Sequence, residues 1–488
     1  MTKITLSADV TRQYETRVMV EPTCSSDNGT LQPVHVVYGG AHLFRADTAQ
    51  KLGRLALRSL EQFATEAESF TKALDFAVGG QGSGVGEITE GNQNEPPRPQ
   101  AAPRAEAPWQ HTLTKEGSFA AIYERVVAKL KREPVEDYRI DFEDGYGIRP
   151  AAEEDEHALS AANAVAEGMR HQTLPRFIGL RIKALNAESP RRGIRTLDIF
   201  LTSLLESTGG VLPDGFVVTL PKVEHENQVS ALVQACDALE AALGLQSCAL
   251  KLEVMVESPR ALFGADGGAA LPRFLQAAKG RLRGAHFGAF DYTAACNISA
   301  NLQDIRHPQC DFARSMMQAS LAGTGVWLSD SVTTVMPVAV NRGTDLTDAQ
   351  REENRRSVHS AWRTHYENIR HSLENGFYQS WDLHPAQLPV RYAAVQVFFR
   401  ENLAASAARL STFVKRATQA TMSGNQFDDA ATAQGLLNFF AQALASDVID
   451  EGEATDLTGL SGDQLRGRSF AKIMENRSQQ LPSVAKER

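Results

Sequence analysis

A chain of 488 residues with a net charge of −9 and an isoelectric point of about 5.8 lacks the basic face that non-specific binding to nucleic acid requires. Hydrophobic residues make up 42% of it, and no apolar run approaches the roughly 20 residues of a membrane span. The five cysteines form no C-x-x-C pair, and the polar N-terminus has no apolar signal-peptide core. We therefore expect a cytoplasmic protein with free thiols that binds neither nucleic acid nor membranes.

The first predicted strand is VHVVYGG at residues 34–40, which follows an N-terminal tail of residues 1–33. A helical pattern runs from about Ala46 to Ala77. Residues 79–108 are then rich in Gly, Pro, Asn and Gln and contain almost no large apolar residue. Because such a segment cannot bury a core, we predict that it is a flexible surface insertion.

Beyond the insertion, short apolar runs alternate with helical patterns. The further predicted strands are YRIDF (138–142), FIGLRI (177–182), GFVVTL (215–220), LKLEVMVE (250–257), GAHFGAF (284–290), GVWLS (325–329) and SWDLH (380–384). This alternation predicts a parallel sheet, and eight units suggest a closed (β/α)8 TIM barrel over residues 34–395. From about Val390 the pattern is wholly helical, which predicts a C-terminal helical extension over residues 396–488.

Polar residues gather where the predicted strands end, and barrel enzymes carry their active sites at that edge. The second strand ends in DFEDGYG, which contains Asp141, Glu143 and Asp144. This run is either a solvated turn whose Asp caps the next helix or part of a site, and the sequence favours neither. Arg181 interrupts the apolar third strand, where a guanidinium needs a carboxylate partner or holds an oxyanion.

Two carboxylates are predicted at neighbouring strand ends farther along the chain. Glu257 ends the fifth strand, and Asp291 lies just past the sixth. Two such carboxylates, with water and substrate oxygens, provide the ligands that Mg2+ or Mn2+ prefers. Asp330 follows the seventh strand and is a further candidate acid or base.

Two lysines and one histidine admit both a functional and a structural interpretation. Lys222, in TLPKVE, and Lys183 could form a Schiff base, although an ion-paired lysine is the commoner outcome at such a position. His384 precedes Pro385 at the end of the eighth strand, where a histidine is more often held by a backbone hydrogen bond.

The ordered motifs DFEDG, LRIKA, LPKVE, VMVESP, FGAFDYTA and NGFYQSWDLHPAQLPV resemble the superfamily of the citrate lyase β-subunit, malyl-CoA lyase and the hydroxy-acid aldolases, which are TIM barrels. DFED, LPKVE, the FDY after the sixth strand and the NGF…W…HP…PV run are also similar to malate synthase. The resemblance covers about residues 34–395.

The resemblance implies a metal-dependent carbon–carbon lyase or aldolase that acts on a small oxo- or hydroxy-carboxylic acid through an enolate. Glu257 and Asp291 would bind Mg2+ or Mn2+, and Arg181 would hold the substrate's oxo or carboxylate oxygen. Metal-bound water or a carboxylate would move the proton. The predicted catalytic residues are Arg181, Asp141, Glu143, Asp144 and Asp330.

Other functions stay open at this point. A malate-synthase-like acyltransferase would depend on acetyl-CoA, and a class I aldolase would use one of the two lysines. A barrel that binds a metabolite without turnover is the alternative outside enzymology. Citrate and malyl-CoA lyases usually carry R-I-N where this chain has R-I-K, so the sequence leaves open whether the substrate is a CoA thioester. We also expect a homo-oligomer.

Overall fold

The computed structural model describes residues 32–74, 118–186, 190–415, 421–423, 426–428, 430–470 and 472–473. The insertion predicted at residues 79–108 and the tail up to residue 31 lie outside these ranges. Among the helices of the described ranges, none is both long and apolar enough to cross a membrane.

Eight parallel strands close into a barrel, in which each strand pairs with its neighbours in chain order and the last pairs with the first. The strands are β1 (His35–Gly40), β2 (Asp137–Asp141), β3 (Phe177–Arg181), β4 (Val217–Leu220), β5 (Lys251–Val256), β6 (Leu282–Phe287), β7 (Trp327–Val332) and β8 (Gln379–Asp382). This confirms the predicted TIM barrel. The strands are buried along most of their length, as expected of a parallel sheet enclosed by helices.

Helices connect the strands and form the outer layer. They are α1 (Thr48–Phe63), α2 (Ala67–Ala73), α3 (Phe119–Arg132), α4 (Ala151–His171), α5 (Pro190–Thr208), α6 (Glu226–Leu243), α7 (Leu271–Ala277), α8 (Ala289–Ala295), α9 (Pro308–Leu321), α10 (Asp348–Glu374) and α11 (Leu388–Lys415). The helical pattern predicted from Ala46 to Ala77 is therefore interrupted between α1 and α2. Helix α11 packs against α10 and α3, so the predicted domain limit at residue 395 falls within a helix of the barrel's outer layer.

The predicted C-terminal helical extension is confirmed, but the region is not wholly helical. Strands β9 (Thr421–Ser423) and β10 (Gln426–Asp428) form an antiparallel pair before helices α12 (Ala430–Ala445), α13 (Glu451–Thr458) and α14 (Gly462–Arg466). The sequence between the two strands is Gly-Asn, a pair that favours a tight hairpin turn. Three-residue strands are too short to show an alternating pattern, which is why periodicity missed them.

Charged side chains occupy two levels of the barrel interior along the direction of the strands. Side chains alternate along β2, so that Asp137, Arg139 and Asp141 all point inward. Arg139 pairs with Glu253 of β5, and Asp141 pairs with Arg181 at the end of β3. The second pair lies at the carboxyl ends of the strands, which is the edge where a TIM barrel carries its active site.

Candidate active site

Asp141 anchors the loop that follows β2. Its carboxylate accepts the backbone N–H groups of Glu143 (2.9 Å) and Gly145 (2.7 Å). A side chain at residue 145 would not fit, because a Cβ there would lie 2.6 Å from Asp141 Oδ2. The same carboxylate receives Arg181 Nε at 2.7 Å and Nη2 at 2.5 Å. With four donors and no exposed surface, Asp141 holds the loop and the arginine in place.

Arg181 is fixed on three sides. Asp141 occupies one edge of its guanidinium, and the rings of Tyr38 and Trp381 lie 4.8 Å and 5.4 Å from its central carbon. The remaining nitrogen, Nη1, lies 3.6 Å from a Glu143 oxygen and 3.9 Å from an Asp144 oxygen. The arginine is therefore a partner of Asp141 and a cation directed at the acidic loop, which is the structural role considered from the sequence; its role toward a substrate oxygen stays a prediction.

Three carboxylates from separate elements converge beside this arginine. One oxygen from each of Asp144, Glu257 and Asp291 lies within 4.8 Å of the other two. Opposite ligands of an octahedral Mg2+ are about 4.2 Å apart, so small side-chain rotations would close the three oxygens around one ion. Gly288 makes this convergence possible, because a Cβ at that position would lie 2.5 Å from Glu257 Cγ. The sequence predicted Glu257 and Asp291 as ligands, and the geometry adds Asp144.

The surroundings of two of these carboxylates, Glu257 and Asp291, oppose their ionisation, whereas Lys222 and Arg181 help to lower the pKa of Asp144. Burial, together with the charge of Asp291, raises the pKa of Glu257 to about 7 in spite of Arg181. Burial and Asp144 likewise raise the pKa of Asp291, while Lys222 acts in the opposite direction. A divalent cation would relieve both effects, and an all-oxygen set of carboxylates fits Mg2+ or Mn2+. The residues present therefore fit the metal.

Lys222 braces the site through its backbone and its side chain. Its backbone N–H donates to Glu257 Oε2 (2.8 Å), from a residue with a left-handed φ of 51°. Its ammonium contacts Glu143 at 2.6 Å and Asp144 at 2.9 Å. Burial opposes the charge, but these two contacts outweigh it and raise the pKa of Lys222. Because a Schiff-base lysine must lose its proton, the structure favours the ion-paired role.

Lys183 and His384 also have structural partners. The Lys183 ammonium donates to the carbonyl oxygen of Phe142 at 2.7 Å. The His384 Nδ1 accepts the backbone N–H of Ala386 at 3.2 Å, the backbone bond that its position before a proline favours.

The structure does not bring Asp330 to the cluster. Asp330 lies within β7, and its Oδ2 accepts bonds from Arg314 Nε of α9 (2.9 Å) and Ser372 Oγ of α10 (2.5 Å). The side chain is 1% exposed and faces the helical layer instead of the barrel mouth. Asp330 therefore links β7 to helices α9 and α10, which is a structural role.

An aromatic wall beside Arg181 was missed from the sequence. Tyr38 of β1 and Trp381 of β8 pack with ring centroids 4.2 Å apart. The buried Trp381 Nε1 has no hydrogen-bond acceptor within the described ranges. Met255 completes this side, with its sulfur 3.5 Å from Arg181 Nη1. The SWDLHP motif puts Trp381 at a strand end, which is the signal that could have found it, but an aromatic side chain at such a position equally fits a packed core.

A domain family described as Domain of unknown function (DUF6986) matches residues 14–473. No curated protein matches the sequence significantly. Among solved structures, a citrate lyase from Burkholderia xenovorans LB400 is 20% identical with a TM-score of 0.50, over 70% of this chain and 93% of that one. This similarity agrees with the resemblance found in the motifs and establishes the shared fold.

Two further structures are similar at lower scores. CitE from Mycobacterium tuberculosis, in complex with magnesium, acetoacetate and coenzyme A, is 17% identical with a TM-score of 0.40, over 67% of this chain and 94% of that one. A Haloferax volcanii malate synthase, in a magnesium and glyoxylate complex, is 18% identical with a TM-score of 0.40, over 74% of this chain and 95% of that one.

Proposed function

We propose a metal-dependent lyase or aldolase activity for this chain. It belongs to the domain family of unknown function DUF6986, whose match covers residues 14–473. The substrate class is an oxo- or hydroxy-carboxylic acid, and a carbon–carbon bond next to the carboxylate breaks or forms through an enolate. The observation that carries the proposal is the convergence of Asp144, Glu257 and Asp291 within 4.8 Å, beside Arg181.

Each described residue has a distinct part in this proposal. Glu257, Asp291 and Asp144 hold Mg2+ or Mn2+, which when bound supplies a Lewis acid for the developing enolate. Asp144, predicted from the sequence as a catalytic residue, is therefore a metal ligand in our assignment. Arg181, kept in place by Asp141, directs Nη1 toward the same point and donates to the substrate's oxo oxygen.

Two neighbours shape the space around that point. The Lys222 backbone N–H keeps Glu257 oriented. The Trp381 indole N–H offers a donor for a substrate oxygen, and the Tyr38–Trp381 wall excludes water from one side. A buried donor that lacks an acceptor costs about 1–3 kcal/mol, which a bound carboxylate would offset.

The test begins with metal-free protein and a panel of small oxo and hydroxy acids, offered both as free acids and as CoA thioesters. We expect turnover that EDTA abolishes and that Mg2+ or Mn2+ restores. Glu257→Gln should lose Mn2+ binding, measured by calorimetry, and should lose turnover as well. Asp266→Asn is the matched control, because this exposed carboxylate follows the same strand but pairs with Arg273.

Three results would contradict the proposal or redirect it. Metal binding that survives in Glu257→Gln would exclude the assigned ligands. Activity that resists EDTA and is trapped by borohydride would replace the metal mechanism with a Schiff base. Release of free thiol only when acetyl-CoA and an oxo acid are supplied together would identify a malate-synthase-like acyltransferase. The homo-oligomeric state and the cytoplasmic location stay predictions.

A further inference from the structure

A cavity, called the cleft below, lies outside the barrel. Helices α1 and α2 form one side of it, and α10 forms the other. The cleft is open to solvent on one side and has a volume of about 730 Å3, which is within the range of small-molecule sites. Its described lining includes four cationic side chains, Lys72, Arg355, Arg356 and Arg363, and one acidic side chain, Glu352. None of these residues belongs to the charged cluster at the barrel mouth.

The concentration of positive charge is unusual for this chain, whose net charge is −9. Glu352 forms an ion pair with Arg355. Lys72 and Arg356 have no ion-pair partner in the part of the chain that the structure describes. Burial and the charges of Arg355 and Arg363 lower the pKa of His359, which lines the same cleft. Like charges gathered in one cleft repel each other, and a bound anion would compensate them.

The floor of the cleft is held rigidly. His359 Nε2 donates to the carbonyl oxygen of Phe63 at 2.8 Å, and its ring stacks on Trp362 at a centroid distance of 5.6 Å. Trp362 is fully buried and donates its indole N–H to the carbonyl oxygen of Ala386 at 2.7 Å. A cleft that is already shaped requires little reorganisation when a ligand enters.

We propose that this cleft binds a small molecule that carries a diphosphate group. Arginine forks and hydroxyl groups are the donors that phosphate oxygens accept best, and the hydroxyls of Thr65, Ser69 and Ser360 line the cleft. The cations come from two helices, Lys72 from α2 and Arg356 from α10, so they can contact two phosphates at once. The proposal is independent of the activity proposed for the barrel mouth.

Calorimetry of the full chain with inorganic pyrophosphate tests the proposal, at fixed ionic strength and with EDTA present so that no metal complex forms. We expect Lys72→Ala and Arg356→Ala each to weaken binding about tenfold, which is the value of one charged hydrogen bond. Arg351→Ala is the matched control. It removes an exposed arginine from the same helix that pairs with Asp348 and does not line the cleft. Its affinity should equal that of the wild type.

Further arms separate the possible sources and sites of binding. Tighter binding of ADP than of pyrophosphate would support the proposal and identify a nucleotide, while equal binding would support a free diphosphate. Glu257→Gln should bind pyrophosphate as the wild type does, since the candidate metal site takes no part. An equal loss in all three arginine and lysine variants, binding of sulfate as tight as that of pyrophosphate, or no binding of either phosphate compound would overturn the proposal.

Discussion

The barrel interior holds two levels of charged side chains that differ in how their charges are balanced. The lower level lies within the strands, away from their carboxyl ends, and consists of the charged or polar residues Asp137, Arg139, Thr219, Glu253, His286 and Gln379. The upper level lies at the carboxyl ends of the strands and consists of Asp141, Glu143, Asp144, Arg181, Lys222, Glu257 and Asp291. Glu253 and Glu257 are four residues apart on the same side of β5, yet their pKa values shift in opposite directions.

The lower level is closed by internal hydrogen bonds and ion pairs, although burial and the charge of Glu253 raise the pKa of Asp137. Arg139 donates to Glu253 at 2.6 and 2.9 Å and also pairs with Asp137. Glu253 accepts from Thr219 at 2.8 Å and lies 3.2 Å from His286 Nε2. Although burial opposes its charge, Arg139 and His286 together hold the pKa of Glu253 well below its usual range. Such a network stabilises the barrel, and its hydrogen-bonding groups pair with one another and not with a ligand.

The upper level carries more negative than positive charge. Among its described side chains, five carboxylates face two cations, Arg181 and Lys222. The most buried of the unpaired acids, Glu257, holds its proton up to about pH 7. Buried charge alone therefore does not mark a site. The useful sign is an unbalanced set of ligands at the open end of the barrel, because a cation from solution can complete it.

The largest expected effect belongs to the lower level. Arg139→Met would leave Asp137 and Glu253 buried without their cation, and removing one partner of a buried pair typically costs about 3–5 kcal/mol. Urea unfolding should show this loss in the free energy of unfolding. Arg195→Met, which removes an exposed ion pair with Asp155, should change the free energy of unfolding much less, because solvent screens that pair. Equal effects in the two variants would mean that the lower level is not a structural network.

The next effect concerns Arg181 of the upper level. Arg181→Lys keeps the charge beside Asp141 but loses the fork that directs Nη1 toward the acidic loop. We expect kcat to fall by about 10²–10³ with little change in metal affinity, because the metal ligands lie elsewhere. Steady-state kinetics and Mn2+ titration measure the two quantities. A near-wild-type kcat would show that Arg181 only anchors Asp141, in which case Arg181→Met should lose stability before catalysis.

A smaller effect should appear in the pH dependence of stability without metal. The pKa of Glu257 is about 7 in the folded state and about 4.3 when unfolded, so its contribution is fully present below about pH 4.3 and is lost as pH rises through 7. Glu257→Gln stays neutral and should therefore gain about 1–3 kcal/mol relative to the wild type between pH 5 and pH 8. Denaturation curves in EDTA at both pH values measure this difference.

Glu253 supplies the opposite sign. Because its folded pKa is depressed, its contribution is present above about pH 4.3 and is lost as pH falls toward the folded value. The wild type and the Glu257→Gln variant should therefore both lose stability below pH 4. The difference in the free energy of unfolding between the wild type and Glu257→Gln should be larger at pH 8 than at pH 5. An equal difference at both pH values would mean that the pKa of Glu257 is not raised in the folded state.

The smallest effect is expected from the segment at residues 79–108, which lies outside the described ranges. Its composition cannot form a core, so replacing it with a short Gly/Ser linker should change neither level of charge. We expect the melting temperature to stay within a few degrees of the wild type, measured by calorimetry. A large drop would mean that the segment packs on the barrel and would contradict the prediction.

The sequence by itself determined the order of the eight barrel strands and the positions of most strand-end acids. Strand periodicity and helical spacing depend on neighbours along the chain, so the eight units could be predicted without any contact between them. Glu257 and Asp291 could be predicted as neighbours because consecutive strands of a parallel barrel lie side by side.

Only the tertiary structure decided which acids meet. In DFEDG the alternation of β2 directs Asp141 inward to Arg181, but the loop after β2 brings Asp144 to Glu257 and Asp291, which depends on loop dihedrals and not on spacing. Asp330 shows the same limit in a strand. The predicted strand ended at residue 329, but β7 continues to Val332, so Asp330 lies within it and points outward to Arg314. Because strand side chains alternate, a boundary error of a few residues changes which face a carboxylate occupies, and only the packed neighbours settle that face.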